Sequence, residues 1–278
     1  MYKFNPILKT MVWGTESWVL SGVPGNESIV AEGPEAGKKI TDIWPGQFPL
    51  LIKFIDAHKD LSIQVHPNDE LAAVRHNCKG KTEMWYVIGA SEGAHLLSGL
   101  KEQIDPEKYV QLVESDQIVS VLADYEVKPG DVFFLPAGRI HAIGGGCYIA
   151  EIQQTSDITY RIYDYGRMGL DGKPRQLHTQ EAKDAIDYTV YEDYRTHYVA
   201  KPNTNVEVVK CPFFTTSVLE LDKPFSQKVE SEFLIVMCLE GSCRIGGTTL
   251  EAGQAGLLMK EDFEVEPCGK VKLMTTHC

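Results

Sequence analysis

Short apolar runs separated by glycine and proline recur along the whole chain, and this pattern predicts many short strands in sandwiches or barrels. Residues 49–55, 61–66, 84–88, 132–135, 148–153 and 233–239 are rich in β-branched and aromatic side chains and read as strands. Helix signals are few. Asp105 followed by Pro106 is an N-cap with proline at the first helical position, so a helix is expected over 106–114, with shorter ones over 68–75 and 180–185. Residues 191–205 are polar, mix charges and contain Pro202, which marks a connection between two β modules. The expected organisation is all-β with a few short helices, in a larger module over 1–190 and a smaller one over 205–278.

Composition narrows the function classes. Of the 278 residues, 43% are hydrophobic and 24% charged, the range of an ordinary globular protein. The longest uninterrupted apolar run, 233–239, falls far short of the roughly 20 residues of a membrane helix, so no membrane partner is expected. The N-terminus has no basic region followed by a long apolar stretch, which points to the cytoplasm. Seven cysteines without a Cys-x-x-Cys pair agree with a reducing compartment. A formal charge of -12 repels phosphate backbones and argues against nucleic acid as a partner.

The sharpest local signal is the run Gly130-Asp131-Val132-Phe133-Phe134-Leu135-Pro136-Ala137-Gly138-Arg139-Ile140-His141. Its glycines and proline turn one strand into the next and deliver His141 to the mouth of a barrel. It resembles the second motif of the cupin superfamily, whose histidine is commonly a metal ligand, and the two modules are accordingly expected to be cupin-like jelly rolls. Gln64-Val65-His66 places two donors on one strand face, because residues two apart point the same way. Glu83 adds a carboxylate from the next strand. Gln64, His66, Glu83 and His141 together suit a zinc ion that remains open to water or substrate oxygen.

The run from Leu61 to Asp69, Lys81-Thr82-Glu83, His141-Ala142-Ile143, and Glu151 with Arg161 together resemble the type I mannose-6-phosphate isomerases. The resemblance runs from about Trp13-Gly14 through Asp164 and more loosely over the C-terminal module, which in the family is a second cupin without metal. It implies one zinc per chain on Gln64, His66, Glu83 and His141, and a sugar phosphate substrate. The implied reaction is aldose–ketose isomerisation by proton transfer between carbons 2 and 1 through an enediolate. Lys81 and Glu151 are both candidate bases, and Arg161 is a candidate catalytic cation or phosphate ligand. Lys53, a charge inside an apolar strand, is expected to face the pocket. Asp157 matches a position tied to ring opening, and a turn-forming aspartate accounts for it equally well. Trp13, Trp18 and Trp85 are core residues or a sugar-stacking wall.

Two departures from the family pattern stand out. The interval from Glu83 to His141 holds only one or two small helices where longer members insert a helical domain. Gly80 precedes Lys81 where some relatives carry a histidine, so that histidine's acid/base role does not transfer. Three other readings keep the metal site: an isomerase of another sugar phosphate, a cupin that binds sugar without turnover, and an iron oxygenase. The neutral Gln64 ligand disfavours the last.

Overall fold

The computed structural model describes residues 1–260 and 262–278 and divides the chain into two compact units. One unit, Leu8–Ser17 with Lys53–Arg195, contains all the candidate chemistry. Its first sheet has five strands in the order Leu122–Glu126, His95–Leu100, His141–Ile143, Ile63–Val65, Tyr160–Tyr163. A second, seven-stranded sheet includes Val132–Leu135, Glu83–Ala90, Cys147–Gln154 and Leu50–Ala57 as successive neighbours, the last belonging to this unit from Lys53 onward.

The pleat of the five-stranded sheet explains where its polar residues point. Ile63 and Val65, Ile140 and Ala142, and Tyr160 and Ile162 all join one core cluster together with Tyr109, Leu112 and Ala182 of two helices. Gln64, His141 and Arg161, each lying between such a pair, are thereby turned to the opposite face. The register then aligns them, with His141 opposite Gln64 and Gln64 opposite Arg161 on neighbouring strands. A slip of one residue would expose isoleucines worth about 1.5–3 kcal/mol each when buried, so the apolar pairs lock this polar row in place. The helix Pro106–Glu114 starts where its cap predicts, with Asp105 accepting from the Lys108 N–H at 2.7 Å. Trp85, Phe133, Leu96 and Ile149 build a second cluster.

The other unit comprises Met1–Ile7, Trp18–Ile52 and Thr196–Cys278. Its central strands Thr215–Leu221, Val271–His277, Phe233–Glu240 and Gln254–Met259 are neighbours in a seven-stranded antiparallel sheet. A four-stranded sheet accompanies it, and Leu219, Val236, Leu258, Phe263 and Leu273 share its core. The molecule is thus all-β with a few short helices, in two cupin-like modules.

The division differs from contiguous modules over 1–190 and 205–278. Tyr2–Phe4 pairs antiparallel with Gln254–Met259, Tyr2 opposite Leu257, which draws the first residues into the C-terminal unit. The expected connection, 191–205, is also partly structural. Tyr194 is buried, its hydroxyl donating to the Leu100 carbonyl at 2.8 Å. Its ring occupies the space beside Gly99, where φ is +78° and any Cβ would lie 2.2 Å from the ring. Among the described residues, no helix is long and apolar enough to cross a membrane.

Candidate active site

Both histidines of the predicted donor set are held by their outer nitrogens. His66 Nδ1 donates to the Ile158 carbonyl and His141 Nδ1 to the Arg139 carbonyl, each at 2.8 Å. This fixes the tautomer and leaves the Nε2 lone pairs facing inward. Both rings are buried, and burial, the largest effect, drives their pKa down, His141 to about 3. They are therefore neutral imidazoles, the form that ligates metals.

Glu83 meets both rings. Its Oε2 is 3.5 Å from His66 Nε2 and its Oε1 is 3.3 Å from His141 Nε2. With neutral imidazoles these are spacings between donor atoms rather than salt bridges. A tetrahedral ion with bonds of 2.0–2.1 Å separates its ligands by about 3.3–3.4 Å, so the three residues fit one metal. Gln64 Nε2 donates to His141 Nε2 at 3.2 Å, and a half-turn of the amide presents Oε1 at the same place. Glu83 is fully buried, and neither oxygen accepts a well-aligned hydrogen bond, although Lys81 Nζ stands 2.7 Å from Oε2. Burial, followed by the charge of Glu151, pushes its carboxyl up to about 7. A carboxylate left so poorly compensated is one that a cation would stabilise.

Lys81 Nζ also lies 3.1 Å from His66 Nε2. Glu151 is engaged at both oxygens, by Lys53 Nζ at 2.8 Å and by Trp85 Nε1 at 2.8 Å. Burial pushes the Glu151 carboxyl up, but Lys53 and Lys81 together prevail and hold it at about 2. Glu16 adds a second carboxylate 3.9 Å from Lys53. The Trp85 ring stands edge-on to His141, 5.2 Å between centroids, so this tryptophan orients the site while remaining wholly buried. Trp18 is likewise core, and Trp13 is buried against the cavity.

The cavity holds about 110 Å³, less than the 300–1,000 Å³ of pockets for drug-sized ligands and suited to a small polar substrate. Lys53, Gln64, Lys81, Glu151, Arg161 and Arg175 contribute to its wall. Asp157 does not: it is exposed on the loop after Cys147–Gln154, with its charge felt by Cys78. Arg161 is not tied to a neighbouring aspartate. Asp164 binds Arg167 and Arg175, and Arg161 Nη1 donates to the Gln176 carbonyl at 3.0 Å. Sequence reasoning missed Glu16 and Arg175. Neither belongs to a motif, and only the folded chain brings them here.

Gly80 is packed against the start of the helix Asp69–His76, its N–H donating to Asp69 Oδ1 at 2.7 Å. A Cβ there would lie 2.5 Å from Asn68 C and 2.6 Å from Asp69 N, so this backbone has no room for a histidine. Gly80→Ala is expected to destabilise the protein by about 1–3 kcal/mol, seen as a lower denaturant midpoint. An unchanged midpoint would mean that the two segments separate without cost.

Residues 9–90 match the family described as phosphomannose isomerase type I, catalytic domain. The probable mannose-6-phosphate isomerase GmuF of Bacillus subtilis is 33% identical, with 98% of each chain covered. Mannose-6-phosphate isomerase ManA of the same organism is 32% identical over 87% of this chain and 86% of its own. The crystal structure of the Bacillus subtilis mannose 6-phosphate isomerase superposes with a TM-score of 0.91 at 29% identity, covering 100% of this chain and 99% of that one. The apo enzyme from Salmonella typhimurium, at 16% identity and a TM-score of 0.76 over 100% of this chain and 98% of its own, shares the fold. A likeness of 33% identity that spans nearly the whole of GmuF has one reading: the chain belongs to the mannose-6-phosphate isomerase family.

Proposed function

We propose that the protein is a zinc-dependent aldose–ketose isomerase that interconverts mannose 6-phosphate and fructose 6-phosphate, and that it works in the cytoplasm. The observation that carries this reading is the convergence of two neutral, backbone-anchored imidazoles on one fully buried carboxylate, with Lys81 beside them. His66, Glu83, His141 and the amide oxygen of Gln64 would hold one zinc ion. When bound, zinc supplies Lewis-acid charge that polarises adjacent sugar oxygens and offsets the negative charge of an enediolate. The seven free cysteines suit a reducing compartment.

The other residues divide the remaining work. Lys81 is the favoured base, moving a proton between carbon 2 and carbon 1. Glu151 is a poor one, because a carboxyl held at about 2 has little affinity for a proton and both its oxygens are occupied. Its role is to anchor Lys53 on the wall and Trp85 beside His141. Arg161, a permanent cation beside Gln64, offers charge to the substrate's oxygens. Asp157, exposed on its loop, would act on the sugar ring only after moving toward the cavity.

The test is a coupled assay with mannose 6-phosphate on protein as purified, after chelation, and after zinc is restored. Activity is expected to disappear with the chelator and return with zinc. Solvent deuterium should enter the sugar at carbon 1 or 2. Turnover indifferent to chelation, or sugar binding without exchange, would move the protein to a metal-free or non-catalytic class.

A further inference from the structure

We propose that His178 is a positioning residue for Arg161, its ring and backbone together gripping the edge strand from which the guanidinium enters the cavity. This rests on the reading of Arg161 as a cation that acts on the substrate, and it gives a task to a residue that does not itself line the cavity.

The need for such a grip comes from the sheet. Tyr160–Tyr163 is the last strand in the order of the five-stranded sheet and pairs on one side with Ile63–Val65. In an antiparallel ladder the bonding alternates, so every second residue turns its N–H and C=O away from the neighbouring strand. Arg161 is such a residue: its N–H donates to His178 Nδ1 at 3.1 Å, and its carbonyl accepts from the His178 N–H at 2.7 Å. One residue therefore covers both outward groups of an edge that would otherwise be bare. The register also shifts between Arg161 and Tyr163, which interrupts the ladder just where the cation is displayed. The inner strand alone does not fix Arg161.

His178 is anchored well enough to do so. It is the N-cap of the helix Thr179–Ala185, yet its side chain makes no capping bond, because the ring is turned to Arg161 instead. Its carbonyl accepts from the Ala182 N–H at 2.9 Å, and Ala182 lies in the core with Tyr160 and Ile162. Gln176 completes the hold, its carbonyl accepting from Arg161 Nη1 at 3.0 Å. Arg161 is thus held at its backbone nitrogen, its backbone oxygen and its guanidinium by residues 176–178. The bond to Nδ1 requires a neutral ring with its proton on Nε2. Burial, then the charge of Arg161 and that of His76 on the helix Asp69–His76, push the His178 pKa below the usual imidazole value, with Glu181 on its own helix pulling the other way.

The experiment uses the full zinc-loaded chain and mannose 6-phosphate. His178→Phe keeps a ring but removes the acceptor, and kcat/KM should fall about 10- to 100-fold with bound zinc unchanged, the loss that a displacement of about 1 Å brings. His178→Ala removes the acceptor without adding bulk and should match it, which guards against a phenylalanine that disturbs the fold. His178→Asn fills less space than either ring but offers Oδ1 close to the place of Nδ1, so it should recover most of the loss. In Arg161→Met, adding His178→Phe should cost less than about twofold more, because the group being positioned is already gone. The Arg161 amide should exchange with solvent deuterium faster in His178→Phe and His178→Ala than in the wild type or His178→Asn. Wild-type kcat/KM in folded His178→Phe and His178→Ala would overturn the proposal, as would losses that add in full across the double variant. Wild-type turnover in Arg161→Met would overturn it as well, since nothing would be left to position. Should the wild type fail to isomerise mannose 6-phosphate, the functional reading fails instead. Exchange of the Arg161 amide then decides the grip separately: faster exchange in His178→Ala upholds it, and equal exchange removes it.

Discussion

His66→Ala should lose its metal and its activity together. The imidazole contributes Nε2 to the cluster and is aimed by the bond from Nδ1 to the Ile158 carbonyl, so no neighbour can replace it. Changes to groups that merely orient a ligand commonly cost 10–100-fold in metal affinity. Removal of the ligand itself should cost about 10²-fold or more, enough to empty the site on dialysis. The cavity left by the ring adds destabilisation of about 2–4 kcal/mol, modest beside loss of the whole fold. Metal analysis after dialysis, read beside circular dichroism, separates these effects. Folded His66→Ala with full zinc and normal turnover would remove the donor assignment.

The residues of this candidate cluster were legible in the sequence because their signals are local. Gln64 and His66 share a face by the two-residue period of a strand, and His141 follows a turn whose Pro136 and Gly138 mark it. The strand Val132–Leu135 appears with its expected ends, and the helix Pro106–Glu114 begins at its expected cap. What the sequence concealed depends on pairing between distant segments. Trp85 meets Glu151 because the antiparallel register sets them opposite each other, and register is not encoded in either strand alone. Lys53 was expected to face the pocket, which it does, but nothing in its own strand foretold the bond to Glu151, 98 residues away. Arg175, which follows Pro174, belongs to no motif. It reaches the cavity wall through a chain reversal in which it binds Asp164. The N-terminal strand Tyr2–Phe4 was hidden in the same manner, since its partner lies near the other end of the chain.

Lys81→Met should retain zinc and a native fold while turnover falls by about 10² to 10⁴, the usual contribution of a positioned acid or base. An ammonium does not ligate a cation, so its removal takes no donor from the metal and relieves the cluster of a competing positive charge. Glu83 Oε2 and His66 Nε2 cannot offer the same lone pairs to Lys81 and to a metal. With the metal in place the lysine amine is left to the substrate, and methionine fills its volume without the nitrogen. Glu151 cannot take over, because Lys53 and Trp85 hold both its oxygens and its carboxyl is kept at about 2. The decisive readout is therefore exchange of the substrate's carbon-bound proton with deuterium from solvent, which should fall with turnover in Lys81→Met. Arg161→Met should also lose turnover while keeping zinc, but its KM should rise as well, since the lost cation lines the cavity that would hold the substrate. If Lys81→Met keeps zinc and still exchanges deuterium at the wild-type rate, the base lies elsewhere; if it folds but loses zinc, Lys81 belongs to the structure of the metal site.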